Sequence, residues 1–364
     1  MKTVRRLLYA EIVSSVAFVA MAFLSLFFFI DFVDELSAAV SPGYSALSAA
    51  AYGLLLMPGH LYELLPIAVL IGAIYALSRM AQSSEFTILR TGGLSPVRAL
   101  RLLTLLGLGF GVLTFLVGDY LAPWAEAQAA HWQAESRGNL NLGRSGAWLK
   151  DHAITPQGER NYSINVGGVG AGGALRDVRI FEFDTDGRLL RRVAADQARI
   201  ESKLPWALTK VKLTQWDAQN VQQTQLEQMP WPSSLDAKVV AAAVLPLTTM
   251  STLDLARYIS HLADNEQAAQ QYQIQFWKRA LYPLACLVMM ALALPFAYLQ
   301  TRAGSISLKV FGGIMLGISF VLLNNVAGHL GVLRDWTPWV VASAPSALYL
   351  LLSLAAFGWL VRYR

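Results

Sequence analysis

One segment gathers the side chains that could do work at a surface: Arg79-Met80-Ala81-Gln82-Ser83-Ser84-Glu85-Phe86-Thr87-Ile88-Leu89-Arg90-Thr91-Gly92-Gly93-Leu94-Ser95-Pro96. Ser83 or Ser84 can cap a short amphipathic helix over about 82–92, Gly92-Gly93 ends it, and Pro96 opens the next helix. Glu85, Phe86 and Leu89 give that helix a carboxylate and an apolar ridge, which suits docking into a groove on a soluble partner. The same pattern also serves as a plain amphipathic linker, and the spacing leaves both readings open.

Other reactive side chains are not arranged for catalysis. Gly167 to Gly173 is glycine-rich, but a phosphate-binding P-loop needs a Gly-Lys-[Ser/Thr] end, and no Gly-Lys pair occurs in the chain. The stretch reads as a loop between strands. His60, His131, His152, His261 and His329 lie far apart, with no His-Glu-x-x-His and no cysteine at metal spacing, so no metal site is expected. Cys286 is the only thiol, which excludes an intramolecular disulfide and reads as a small buried hydrophobe. No catalytic residue is expected.

The elements that carry these residues follow from composition. The chain has 364 residues, 55% hydrophobic and 15% charged, which is too apolar for an ordinary soluble protein. Residues 140–248 hold 24 of the 53 charged side chains, so one polar domain is set inside a hydrophobic chain. A membrane-spanning helix needs roughly 20 mostly apolar residues, because lipid offers no partners to backbone polar groups. Apolar runs, charge-free except for Glu63 in the second, predict six spans: Ile12–Ile30, Leu61–Ser78, Leu102–Gly118, Ala280–Thr301, Val310–Leu333 and Trp336–Val361. Ser41-Pro42-Gly43 and Met57-Pro58-Gly59 predict a loop and a short interfacial segment before the second span. The first run is longer than the apolar core of a signal peptide, and no small-x-small cleavage site interrupts its aromatic Phe27-Phe28-Phe29, so it is read as a retained helix.

Lysine and arginine in short loops set the orientation. Lys2, Arg5 and Arg6, then Arg79, Arg90, Arg98 and Arg101, then Arg302 and Lys309, then Arg362 and Arg364 fall on one side, and Arg334 alone on the other. Both termini are therefore expected in the cytoplasm, with the polar domain outside, in the periplasm of a cell with two membranes. This bias accounts for the +5 net charge without nucleic acid. Asp31, Asp34, Glu35, Glu63 and Asp119 fall at the predicted outer ends, which gives a proton-coupled lipid carrier little support.

In the polar domain, Arg176–Asp184 alternates at period two and is followed by Thr-Asp-Gly-Arg, a turn signal. Tyr162–Val166, Ile200–Lys203 and Trp206–Trp216 also read as strands. The fold class is thus an α-helical polytopic membrane protein of six spans with an inserted all-β domain, a small sandwich or open jelly roll. The expected division is 1–137, 138–248 and 249–364, the last a linker and three spans. The β-domain either lends a sheet edge to another chain or simply caps the membrane part.

Several motifs resemble the permease family of the lipopolysaccharide exporter, the LptF and LptG subunits, and stand nearer the LptG side. They are Phe32-Val33-Asp34-Glu35-Leu36, Leu65-Pro66 with Leu70-Ile71-Gly72-Ala73, Met80-Ala81-Gln82-Ser83-Ser84-Glu85 with Gly93, Ala122-Pro123 with Glu126, and Ala344-Pro345-Ser346. The resemblance implies an inner-membrane subunit that pairs with a homologous LptF around a V-shaped cavity and extracts lipopolysaccharide from the outer leaflet. It further implies a cytoplasmic LptB ATPase dimer that binds ATP and Mg, receives the coupling set Glu85, Phe86, Leu89, Arg90 and Gly93, and leaves this chain without a cofactor. LptC would supply a membrane helix and a β-jellyroll like the periplasmic domain here. The first and fifth spans would line lateral gates.

Phe28, Asp31, Phe32 and Leu65, with Leu316, Phe320 and Asn324 at i, i+4 spacing on one helix face, are the residues expected to line the lipid cavity, with core packing as the competing reading. Gly313 and Gly317 form a small-xxx-small pair that would let their helix approach a neighbour closely. One departure stands out: the family carries lysines near the outer end of the first helix, where this chain has Asp31, Ser37 and Ala38. Phosphate capture would then fall to the partner subunit, to the lipid's divalent cations or to other basic residues. The rival of another class is a membrane-anchored scaffold for periplasmic β-domains that transports nothing.

Overall fold

The computed structural model describes residues 2–38, 45–137, 140–141, 146–155, 158–169, 174–200, 205–216, 220–233, 235, 240, 250–264, 269–298 and 306–363. The chain divides into two compact units, Met1–Ser37 with Gly53–Ala125 and Gln273–Arg364, and Ala38–Tyr52 with Glu126–Tyr272.

The first unit is helical. Its helices are α1 (Lys2–Ala38), α2 (Ala46–Gln82), the short α3 (Glu85–Thr91), α4 (Pro96–Leu116), then α7 (Gln270–Tyr298), α8 (Ile306–Leu333) and α9 (Pro338–Tyr363). A π-turn, Val117–Leu121, joins α4 to α5 (Ala122–Arg137) without a break. Among the described residues six helices are long and apolar enough to cross a membrane, as expected: α1, α2, α4 with α5, α7, α8 and α9.

One expectation fails. Met57-Pro58-Gly59 does not interrupt the chain; α2 is a single helix of 37 residues with Pro58 and Pro66 inside it. A proline removes one helical hydrogen bond, but leaving the helix in an apolar setting would orphan many more. Ser41-Pro42-Gly43 lies outside the described residues.

The core of this unit is made where helices come close. Leu8, Ile12 and Val16 of α1 meet Leu70, Ala73, Ile74 and Leu77 of α2, and Cys286, Met289 and Met290 of α7 join the same buried cluster. A Cβ on Gly72 would lie 2.6 Å from the Val16 backbone, so α1 and α2 touch main chain to side-chain-free main chain. Gly313 and Gly317 of α8 leave room for the Ile74 and Ile67 side chains of α2, which a Cβ at either position would meet at 2.7 Å and 2.8 Å.

The second unit holds an antiparallel sheet: β1 (Leu140–Asn141), β2 (Ala147–Thr155), β3 (Gly158–Val169), β4 (Leu175–Phe183), β5 (Leu189–Arg199), β6 (Trp206–Trp216) and β7 (Val221–Trp231). From β2 to β7 each strand pairs with its neighbour in sequence, and β1 pairs β3 beside β2. The Thr-Asp-Gly-Arg turn is present, with Gly187 at φ 78° and Arg188 N donating to Asp184 Oδ1 at 2.8 Å. Gly167 to Val169 are the end of β3 rather than loop, Gly170 to Gly173 lie outside the described residues, and Ile200 follows β5 without joining a strand.

A crease crosses this sheet. The ladders β3–β4, β4–β5, β5–β6 and β6–β7 each skip one residue pair, and the skipped residues, Gly167, Asp177, Asp196, Lys210 and Glu227, form one column. Asp177 and Lys210, on alternate strands, have φ of 51° and 52°, the left-handed region that kinks a strand. Bending at one column folds a single meander over itself, so residues on both sides share a core. Tyr162 packs edge-on against Trp231 with ring centroids 5.4 Å apart, and Arg191 lies over the same indole while pairing with Glu182. Past β7, Ser233 Oγ donates to Asp151 Oδ2 of β2 at 2.8 Å.

The expected linker also holds a helix, α6 (Thr252–Asp264), with Leu255, Tyr258 and Leu262 on its buried face and Ser251 Oγ accepting from Asp254 N at 3.1 Å.

Candidate functional site

The segment from Gln82 to Pro96 forms a helix shorter than expected, and neither serine caps it. Ser84 takes a left-handed conformation at φ 63° with no side-chain cap, and Ser83 Oγ donates back to the Met80 carbonyl at 3.3 Å. The real turn is made by Ser84 and, at the far end, by Gly93 at φ 101°, whose carbonyl accepts from Arg98 Nη1 at 3.0 Å. Ser95 Oγ then accepts from Arg98 N at the start of α4.

The faces of α3 are assigned by its packing. Phe86 is 2% exposed and meets Tyr298 of α7 edge-on at 5.2 Å, while Arg90 lies over the same ring at 5.0 Å. Leu89 is partly buried against the helical core. Phe86 and Leu89 are thus anchors to this chain's own bundle, and the outward surface is Glu85, Ile88, Thr91, Gly92 and Gly93. Ile88 is 66% exposed and was not singled out by the sequence pattern. Nearby, Arg79 of α2 pairs with Glu11 of α1.

The seven residues expected around a lipid cavity fall into two groups. On α1, Phe28 and Phe32 stack at 6.2 Å and remain partly exposed, and Asp31 Oδ2 meets His60 Nε2 of α2 at 2.7 Å. On α8, Phe320 is buried against Tyr349 of α9 at 5.2 Å, Leu316 is partly buried, and the Asn324 carbonyl accepts from Lys278 Nζ at 2.8 Å. Leu65 and Phe320 belong to the same buried cluster, so in this chain they are packing residues. Phe28, Asp31, Phe32, Leu316 and Asn324 keep partial exposure.

The family model "Lipopolysaccharide export system permease LptF/LptG" matches residues 6–360. The chain belongs to the LptF/LptG permease family. The lipopolysaccharide export system permease protein LptG of Escherichia coli K12 is 28% identical over 332 residues, 89% of each chain. That of Haemophilus influenzae is 26% identical over 353 residues, 96% of each chain. Six apolar helices and this family make the chain a multi-pass membrane protein.

In this LptF/LptG member, sequence reasoning missed the polar groups of α7. Arg279 is 6% exposed, with Nη2 donating to the Gly118 carbonyl in the π-turn at 2.5 Å and its guanidinium over the Tyr62 ring at 5.6 Å. Tyr282 Oη donates to the Glu63 carbonyl at 2.5 Å. The expected span began one residue after Arg279, and α7 begins nine residues before it. Gly118 and Pro123, five apart, were the available signal: in a π-turn the N–H of residue 123 would pair with carbonyl 118, and proline has none.

Proposed function

We propose that this chain is the transmembrane permease subunit of an ATP-driven lipopolysaccharide exporter. With a homologous LptF-type subunit it takes lipopolysaccharide from the outer leaflet of the inner membrane and passes it to a periplasmic bridge of β-jellyroll domains, one of them its own and another from LptC. Both termini and α3 lie in the cytoplasm, following the loop arginines and lysines. An LptB ATPase dimer binds ATP and Mg; this chain binds neither and has no catalytic residue.

The observation that carries the reading is the mounting of α3. Its inner face is fixed to α7 through Phe86 and Arg90 on Tyr298, and its outer face presents Glu85 beside the apolar Ile88. A push on that outer face is delivered to a membrane helix without loss in a flexible loop, which is what a coupling element requires. Helix-in-groove docking supplies the apolar contact, and the carboxylate supplies orientation.

The test is reconstitution of the full complex in vesicles with lipopolysaccharide. Glu85→Ala is expected to leave assembly intact and to lower ATP-dependent lipid release at least tenfold. Undiminished release by that variant, or equal release without ATP, overturns the reading.

A further inference from the structure

The N-terminal half of α1 is fixed in the bundle by buried Leu8, Ile12 and Val16, by the Arg79–Glu11 pair, and by Tyr9 Oη donating to the Leu102 carbonyl at 2.9 Å. Beyond Val16 the helix changes character. Phe18, Met21, Leu26, Phe29, Ile30 and Val33 are all exposed. Val19 and Ala20 still pack on the helical core and Glu35 is buried, and between them this half contacts a short stretch of α2: His60 meets the Phe27 ring at 4.8 Å and the Asp31 carboxylate at 2.7 Å, and Gly53 lets Phe28 come close.

We propose that Asp31 and His60 form a hydrogen-bonded latch that fixes the C-terminal half of α1 on α2, and that its release frees that half to swing. The side chains are 17% and 23% exposed, so the contact is shielded from water more than a surface pair, and breaking it would leave partly buried polar groups without that partner. Asp34 and Glu35 follow Asp31 by about one turn of α1, with Glu35 buried, and Glu63 follows His60 by about one turn of α2. His60 is the lone base beside these three carboxylates and Asp31. The hydrogen bond to Asp31 and the contact with the Phe27 ring both fall on one imidazole, so these side chains set the latch. What it would control, the opening through which lipid enters, rests on the export reading.

The test places nitroxide labels at Val33→Cys and Leu54→Cys, both exposed, on the full chain; native Cys286 is buried and stays unlabelled. Pulsed electron resonance is expected to give one narrow distance for the labelled chain. Asp31→Asn and His60→Gln are each expected to broaden the distribution, and the exchanged pair D31H/H60D to restore it. Narrow distances in both single variants overturn the latch, as does a distribution that stays broad in the exchanged pair. These distances are read without lipid, so the latch stands or falls on them. A chain that releases no lipopolysaccharide with its ATPase partner overturns the export reading instead.

Discussion

Arg279 Nη2 donates to the Gly118 carbonyl, the acceptor that Pro123 cannot serve. Ala122 N bonds to the Val117 carbonyl in the five-residue pattern of a π-turn, and the next donor in that pattern is missing. A carbonyl left bare in an apolar bundle is costly, and a guanidinium from another helix answers it. Gly118 is required because a Cβ there would enter the Tyr62 ring.

This relationship predicts a thermodynamic cycle. Arg279→Met should destabilise the chain by about 1–3 kcal/mol, the range for a buried group left unsatisfied. Pro123→Ala restores the N–H, so the same arginine change should cost less than half as much in that background. Thermal unfolding in detergent of the four chains checks the coupling.

Close helix approach predicts opposite outcomes at two glycines. Gly72→Ala drives a methyl into the Val16 backbone, which cannot give way, and should cost about 1–3 kcal/mol. Nothing lies within 4 Å of a Cβ at Gly109, so Gly109→Ala should be neutral or stabilise by about 0.5–1 kcal/mol through helix propensity. Melting temperatures of the two variants would separate in sign.

The crease predicts which substitutions a strand residue accepts. Lys210 sits at φ 52°, and its ion pair with Asp196 is 3.9 Å long and exposed, so little is lost with the side chain. Lys210→Gly should leave stability unchanged or raised, whereas Lys210→Val, branched at Cβ, should lose about 1–2 kcal/mol. Protease susceptibility of the β-domain in the full chain, measured against temperature, reads the difference.

Tyr258 predicts an alkaline limb. Burial chiefly, and then Tyr272 at 4.7 Å, push its hydroxyl above the ordinary tyrosine range. A folded-state value above the unfolded one means that the stabilisation is complete below about pH 10 and is lost as pH rises further. Tyr258→Phe should flatten that loss in a denaturation series through this range; an unchanged slope would exclude the residue as its source.

The sequence made some of this legible and not the rest, for physical reasons. Spans announce themselves because lipid demands long apolar runs, and α3 was found because its glycines and Pro96 punctuate it. Which face of α3 points inward was not legible, since it depends on Tyr298 of α7, far along the chain. The unbroken α2 was misread because Pro58-Gly59 is a turn signal in water and a tolerated lesion in a helix bundle. Leu65 and Phe320 match a cavity pattern as well as a core pattern, and packing alone separates the two. Tyr162–Val166, β4 and β6 alternate clearly, but β7 is polar along almost its whole length and shows no such contrast. Asp177 and Lys210 look like ordinary strand residues; their kink exists only relative to neighbouring strands.

Because the kinked residues stand abreast, the distance from each of them to its hairpins is fixed by the strand beside it. A one-residue insertion or deletion within β3 to β6 would throw one bend out of line with the others, as a misplaced fold jams a pleated fan. Length variation among relatives should therefore collect in the hairpin tips, such as Asp184 to Arg188, and spare the strand interiors.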